Sequence, residues 1–314
     1  MPELTFTLAP RPPFRLDLTV WALRRRAHNL VDRFDEGVWR RILVIGRSPV
    51  AVAVRQTRIG SRPEIEVRVR AARPQAVRAE VAAIVTRMLG LERDLSDFYR
   101  LARGDARIRE LADRLRGMKP VRFATVFEAF ANAVAGQLVS LSAGMHVLNR
   151  LTEAYGIPGE VDGATVPMRS FPVASAVARS NPDALRALGL SRQKGEYLIG
   201  LARLAIDRKD RDFASIERLG DDDAVAHLSK IRGVGRWTAE YVMLRGFGRI
   251  NIFPGDDVGG RNKLFAWLGV DGEPTYDGVR RILKRWHPYA GLIYLQLIVN
   301  GVADDGHFAQ SAAG

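Results

Sequence analysis

Leu228–Asp257 reads LSKIRGVGRWTAEYVMLRGFGRINIFPGDD. Leu228 and Ile231 stand three apart and lead directly into Gly233-Val234-Gly235. Trp237-Thr238-Ala239 then opens a second run with apolar residues at Ala239, Val242 and Met243. Helical spacing on both sides of a two-glycine turn predicts helix, tight hairpin, helix. The glycines allow backbone angles that side chains forbid and let the main chain approach a partner closely. The first amides of the second helix lack intrahelical acceptors and favour an anion. A phosphate fits there.

Around this stretch lies a chain of 314 residues, long enough for two domains, with a hydrophobic content of 47% that fits a soluble globular protein. Its net charge of +13 points toward a polyanionic partner, nucleic acid first and an anionic membrane second. An arginine-rich proteome produces the same excess, so charge alone does not choose. Cysteine is absent, which excludes a disulfide framework, a zinc ribbon and a cysteine-held iron–sulfur cluster. No apolar run approaches the ~20 residues that span a bilayer. The opening MPELTFTLAP lacks the basic and apolar regions of a secretory signal, so the cytoplasm is the expected compartment.

Residues 1–113 read as a unit of strands and helices. Leu4, Phe6 and Leu8 alternate, as do Val50, Val52 and Val54, and again Ile65, Val67 and Val69. These period-two patterns predict half-buried strands, with another over Trp39 to Ile45. Leu18 to Arg33 and Val77 to Leu89 carry helical patterns. An antiparallel sheet with helices on one face is the architecture this mixture predicts. From residue 114 to 303 helical patterns follow one another and no strand is expected; 304–314 reads as a tail. Phe127, Phe130, Val134 and Leu138 mark one helix face. Asp221-Asp222-Asp223 precedes a helical run, where acidic side chains suit the dipole better than a metal. The fold class is therefore α+β, mostly α.

The Gly-hydrophobic-Gly hairpin, the Trp-Thr-Ala after it and the pair Asp256-Asp257 after Phe253-Pro254-Gly255 together resemble the AlkA-type 3-methyladenine DNA glycosylase II family of the helix-hairpin-helix DNA glycosylase superfamily. FEAFANAVAGQLVSLSAG likewise is similar to the family's segment around its DNA-wedging loop. The resemblance implies an N-terminal sheet domain followed by an all-helical glycosylase domain. It makes Asp257 the catalytic carboxylate, with Asp256 a supporting neighbour. It places Trp237 and Tyr241 at the substrate base, and Gln137, Leu138, Gly233, Val234, Gly235 and Thr238 against DNA, Leu138 as the wedge. Read from the residues alone, Asp257 is a helix N-cap, Leu138 a core leucine, and both aromatics helix packing.

The implied chemistry is cleavage of the bond between sugar C1′ and a purine flipped out of duplex DNA. An oxocarbenium-like sugar develops, and a carboxylate beneath it stabilises the charge and orients or deprotonates water. Alkylated purines carry positive charge and leave without a general acid. In bifunctional relatives the residue two after the second hairpin glycine is a Schiff-base lysine; here it is Trp237, so a monofunctional hydrolase is expected. An indole attracts an electron-poor base by ~0.5–2 kcal/mol. The resemblance implies no cofactor and no structural metal beyond a monovalent cation at the hairpin carbonyls, and a monomer acting on damaged double-stranded DNA. Ile298 stands where the family has a pocket aromatic, Ala290 where it commonly has arginine, and Gly195 where Lys-Ala is frequent after Lys194. Two other functions fit parts of the pattern: an oxidised-base (8-oxoguanine-type) glycosylase, and a non-catalytic hairpin protein. A carboxylate beside phosphate has no use in the latter.

Overall fold

The computed structural model describes residues 1–304 except 162, 165–167, 208–210 and 273. Strands β1 (Glu3–Leu8), β2 (Arg33–Asp35), β3 (Val38–Ile45), β4 (Ser48–Arg58) and β5 (Glu64–Arg70) form an antiparallel sheet in the order β1-β5-β4-β3-β2. The alternation seen in the sequence sets its faces. Val50, Val52 and Val54 lie opposite Leu43, Arg41 and Trp39, and all six are buried. Helices Leu16–Arg24 and Pro74–Leu89 pack on this buried face. The sheet's hydrophobic cluster runs without a break into the helical half, through Phe130, Val242 and Leu295.

Three local expectations change. The helix expected over Leu18 to Arg33 stops at Arg24, where Arg25 adopts a φ of 55°. Asn29 closes that end by donating to the carbonyls of Leu23 (3.3 Å) and Arg24 (3.0 Å), and the chain is released to form β2. Leu138 lies beyond the helix Val126–Gly136 rather than on its face. A short ladder, β6 (Pro158–Gly159) with β7 (Met168–Arg169), appears where no strand was expected. Two residues are too few for a period-two signal. The ladder's packing is tertiary: a Cβ at Gly159 would stand 2.6 Å from the Ile42 side chain.

The helical half opens with Val126–Gly136, capped by Thr125, and Leu141–Tyr155, capped by Ser140. Asn181 caps Pro182–Ala187. Gly195 of the next helix, Arg192–Asp207, lets it close on that short helix, since a Cβ would meet Leu185 at 3.3 Å. The three aspartates occupy the first turn of Asp221–Leu228, and Asp221 accepts hydrogen bonds from Arg249 and Asn251. Ala290–Asp304 is the last helix, so Asp304 belongs to it and the rest of the expected tail lies outside the described residues. Among the described residues no helix is long and apolar enough to cross a membrane.

Candidate active site and nucleic-acid interface

The hairpin forms as the sequence predicts. Asp221–Leu228 ends, Gly233 takes a φ of 85°, and Gly235 is the N-cap of Arg236–Val242. The second helix runs on without a gap into a π-helical turn, Met243–Phe247, whose Gly246 carbonyl accepts from the Arg122 guanidinium at 2.8 and 3.0 Å. The two glycines serve different ends. Gly233 sits on the Tyr197 ring, where any Cβ would be 2.3 Å away. Gly235 is exposed, with nothing within 4 Å of where its Cβ would be. Its backbone is open to close approach from solvent, beside helix-start amides without intrahelical acceptors.

Gln137 joins this hairpin to the chain turn that carries Leu138. Its side-chain amide donates to the Gly233 carbonyl (3.2 Å) and the Thr238 hydroxyl (3.1 Å). Lys194 donates to the Gln137 carbonyl at 2.6 Å. Beyond this clasp Leu138 has a φ of 56° and is fully exposed, at 104% of its reference area. Val139 and Leu141 are exposed beside it. A strained leucine held out into solvent is no core residue. Val234 and Thr238 are buried, so what they offer a ligand is main chain.

Asp257 is the N-cap of Val258–Leu268, its Oδ1 accepting from the Gly260 amide at 2.6 Å. Its Oδ2 accepts from the Trp237 indole (3.1 Å) and from the Tyr294 hydroxyl (3.2 Å). Capping and display of the carboxylate thus coexist. Burial, with the Asp257 charge beside it, holds the Tyr294 phenol well above its ordinary range, so it stays a donor. Trp237 is half-buried and tilts 31° against Tyr241, ring centres 5.6 Å apart. Tyr241 itself is buried between Trp237 and Phe123 and backs the indole from behind. Asp256 turns away from this cluster toward Arg236, 2.7 Å distant.

Trp237, Tyr241 and Asp257 therefore come together, with Gln137 and Leu138 at the hairpin's flank. Sequence reasoning missed Tyr294. It lies one helical turn before Ile298 on the last helix, and Ile298 packs against the core instead. The i, i+4 spacing to the position expected to be aromatic was the available signal. Lys194 stood out in the sequence, but its acceptor is a main-chain carbonyl and leaves no mark there.

A profile described as HhH-GPD superfamily base excision DNA repair protein matches residues 131–288, half of the chain. The chain is similar to a DNA-3-methyladenine glycosylase of Bacillus subtilis, 29% identical over 88% of this chain and 91% of that protein. It is also similar to DNA-3-methyladenine glycosylase 2 of Escherichia coli, 26% identical over 93% and 96% of the two chains. The structure superposes on a 3-methyladenine DNA glycosylase from Archaeoglobus fulgidus with a TM-score of 0.80 at 25% identity, covering 95% of this chain and 98% of that one. A Clostridium acetobutylicum 8-oxoguanine glycosylase/lyase shares the fold alone, with a TM-score of 0.71 at 16% identity over 93% of each chain. The hairpin, the helix-capping aspartate and the match across residues 131–288 agree, and the chain belongs to the HhH-GPD superfamily of base excision DNA repair proteins.

Proposed function

We propose that the protein is a monofunctional DNA glycosylase that hydrolyses the N-glycosidic bond of alkylated purines, such as 3-methyladenine, flipped out of duplex DNA. The observation that carries this reading is the joining of Asp257 to Trp237 through one hydrogen bond of 3.1 Å. It fixes a carboxylate and an indole as a single unit at the mouth of the hairpin. The indole face stacks on the cationic base. The carboxylate, oriented by three donors, faces the sugar and stabilises positive charge as the C1′–N bond breaks. The bonding pair leaves with the base and neutralises it, and water adds to C1′ as it gives up a proton to the Asp257 carboxylate. The names of the Bacillus, Escherichia and Archaeoglobus relatives support the same substrate class. Position 237 offers no amine, so no Schiff base forms and the strand is left intact at an abasic site. The scheme uses no cofactor, and one monomer suffices per lesion.

The test is incubation with methylated duplex DNA. Free 3-methyladenine is released, and the strand breaks only after alkali. Strand cleavage in step with base release, or release of 8-oxoguanine in preference to methylated purines, overturns the reading.

In this scheme Leu138 occupies the space the flipped base leaves, a wedge that costs a few kcal/mol of unstacking. Leu138→Gly separates function from stability. Glycine accepts a φ of 56° without strain, and the side chain removed is fully exposed. Thermal stability is expected to hold or rise by about 0.5–1 kcal/mol. Base release from duplex is expected to fall about tenfold, the loss of ~1.4 kcal/mol of transition-state stabilisation. Single-stranded substrate, where no stack has to be held open, loses less. An unchanged duplex rate removes the wedge from the scheme.

A further inference from the structure

Glu240 is a carboxylate buried in the helical core, 5% exposed, that the chemistry above does not use. Both of its oxygens are engaged, one by the loop that ends in Asp257 and the other by the first residue of the helix Tyr276–Leu283. Oε2 accepts from the Gly255 amide at 2.9 Å, and Oε1 accepts from the Tyr276 hydroxyl at 2.6 Å. The Tyr276 ring lies directly on Gly255, where a Cβ would be 2.5 Å from Cδ2. The Arg236 guanidinium stands over the same ring, 3.6 Å from its centre. Arg236 in turn grips Asp256 through Nε (2.8 Å) and Nη2 (2.7 Å). The circuit closes: Glu240, Gly255-Asp256, Arg236, Tyr276 and back to Glu240.

We infer that Glu240, with Tyr276 and Arg236, is a positioning clamp that sets where Asp257 stands relative to the hairpin helix. Glu240 and Arg236 belong to the helix that carries Trp237, while Gly255 and Asp256 directly precede Asp257. The Asp257 amide itself closes a turn onto the Pro254 carbonyl at 2.9 Å. A turn held at Gly255 and Asp256 has little freedom left at Asp257. Burial raises Glu240 above the ordinary carboxylate range, against the pull of Tyr276 and Gly255, so ionising it there is a cost to the fold. Any uncharged acceptor of similar shape would serve a purely structural purpose as well.

The clamp rests on the glycosylase reading for its purpose, though its mechanical part is testable alone. Glu240→Gln keeps an acceptor for Gly255 and a donor for the tyrosine oxygen; Glu240→Met and Tyr276→Phe break the circuit. Three readouts separate positioning from general stability: single-turnover base release from methylated duplex at saturating protein, affinity for duplex with an abasic analogue, and amide hydrogen exchange over residues 253–258. A catalytic group misplaced by ~1 Å loses about 100-fold in rate. Glu240→Met is expected to lose about 100-fold and Tyr276→Phe about tenfold, each with affinity within about twofold of wild type and exchange over 253–258 accelerated. Glu240→Gln is expected within about threefold of the wild-type rate, with Tm unchanged or raised. If Glu240→Met does not fold, Tyr276→Phe, which deletes one oxygen, decides. Wild-type rates and exchange in Tyr276→Phe overturn the clamp. A wild type that releases no base sinks the glycosylase reading instead, and exchange over 253–258 then decides the clamp by itself.

Discussion

Asp257→Asn is expected to lower release of alkylated base from duplex DNA by about 10²–10³-fold, the range lost when one preorganised electrostatic group is removed from a site where charge develops. Asparagine keeps the cap, because its carbonyl oxygen accepts from Gly260 as Oδ1 does. The amide nitrogen then faces the Trp237 indole and the Tyr294 hydroxyl, both of which donate to Oδ2 in the wild type. The hydroxyl can turn and accept; the indole cannot. One unsatisfied donor costs about 1–3 kcal/mol, so a small fall in Tm accompanies the rate loss. Affinity for duplex carrying an abasic analogue is expected to stay near wild type, since the proposed scheme puts phosphate on the exposed main chain at Gly235 and not on this carboxylate. Asp256→Asn provides the contrast: its carboxylate meets Arg236, and its loss acts only through the position of Asp257. Base release by Asp257→Asn at the wild-type rate would move the catalytic role to another residue.

The sequence carried the hairpin, the sheet and the Asp257 cap because each is written locally. Gly233 and Gly235 sit within three residues of each other, the strand valines alternate, and an aspartate before a helical run is a cap whatever else it does. Tyr294 and Tyr276 were not legible. Each meets its carboxylate across about 36 residues of intervening chain, Tyr294 to Asp257 and Tyr276 to Glu240, through helix packing that no spacing rule encodes. Leu138 was ambiguous for a different reason. Its spacing from Phe127, Phe130 and Val134 continues a helical face, and only the break after Gly136 turns it outward. The end of the first helix was misplaced because the signal was a side chain: Asn29 reaching back to Leu23 and Arg24 overrides a continuing helical pattern.

The second large effect lies far from the hairpin, at the seam between sheet and helices. Arg41 points into the buried face of β3 and is 1% exposed. Its Nη1 meets both oxygens of Asp32 at 2.9 Å, and its Nη2 meets Glu128 at 2.6 Å. Asp32 also accepts from the Trp39 indole at 3.1 Å. Burial alone would lower the arginine, but the two carboxylates outweigh it and hold Arg41 above its ordinary range. Arg41→Met leaves two buried carboxylates without their cation, a change that costs about 3–5 kcal/mol. For a chain of this size that is a fall in Tm on the order of 10 °C.

The deficit has a pH signature. Burial already raises Glu128 above the usual carboxylate range, with Arg41 opposing it, and removing Arg41 raises it further. A carboxyl raised in the folded state is most compatible with the fold when protonated, and its contribution is lost as pH climbs through the folded pKa. The gap between variant and wild type is therefore expected to narrow as melts are run from pH 8 toward pH 5. Adding Asp32→Leu and Glu128→Leu to Arg41→Met removes the stranded charges and is expected to recover most of the lost stability, less the bond owed to Trp39. A single variant melting within about 2 °C of wild type at pH 8 would mean that water reaches the seam and solvates the pair. Glu128 lies in the first turn of Val126–Gly136, and the far end of that helix delivers Gln137 and Leu138 to the hairpin. The triad thus anchors to the sheet the helix after which Leu138 projects, and in the proposed scheme loosening it is expected to slow base release even at temperatures where Arg41→Met remains folded.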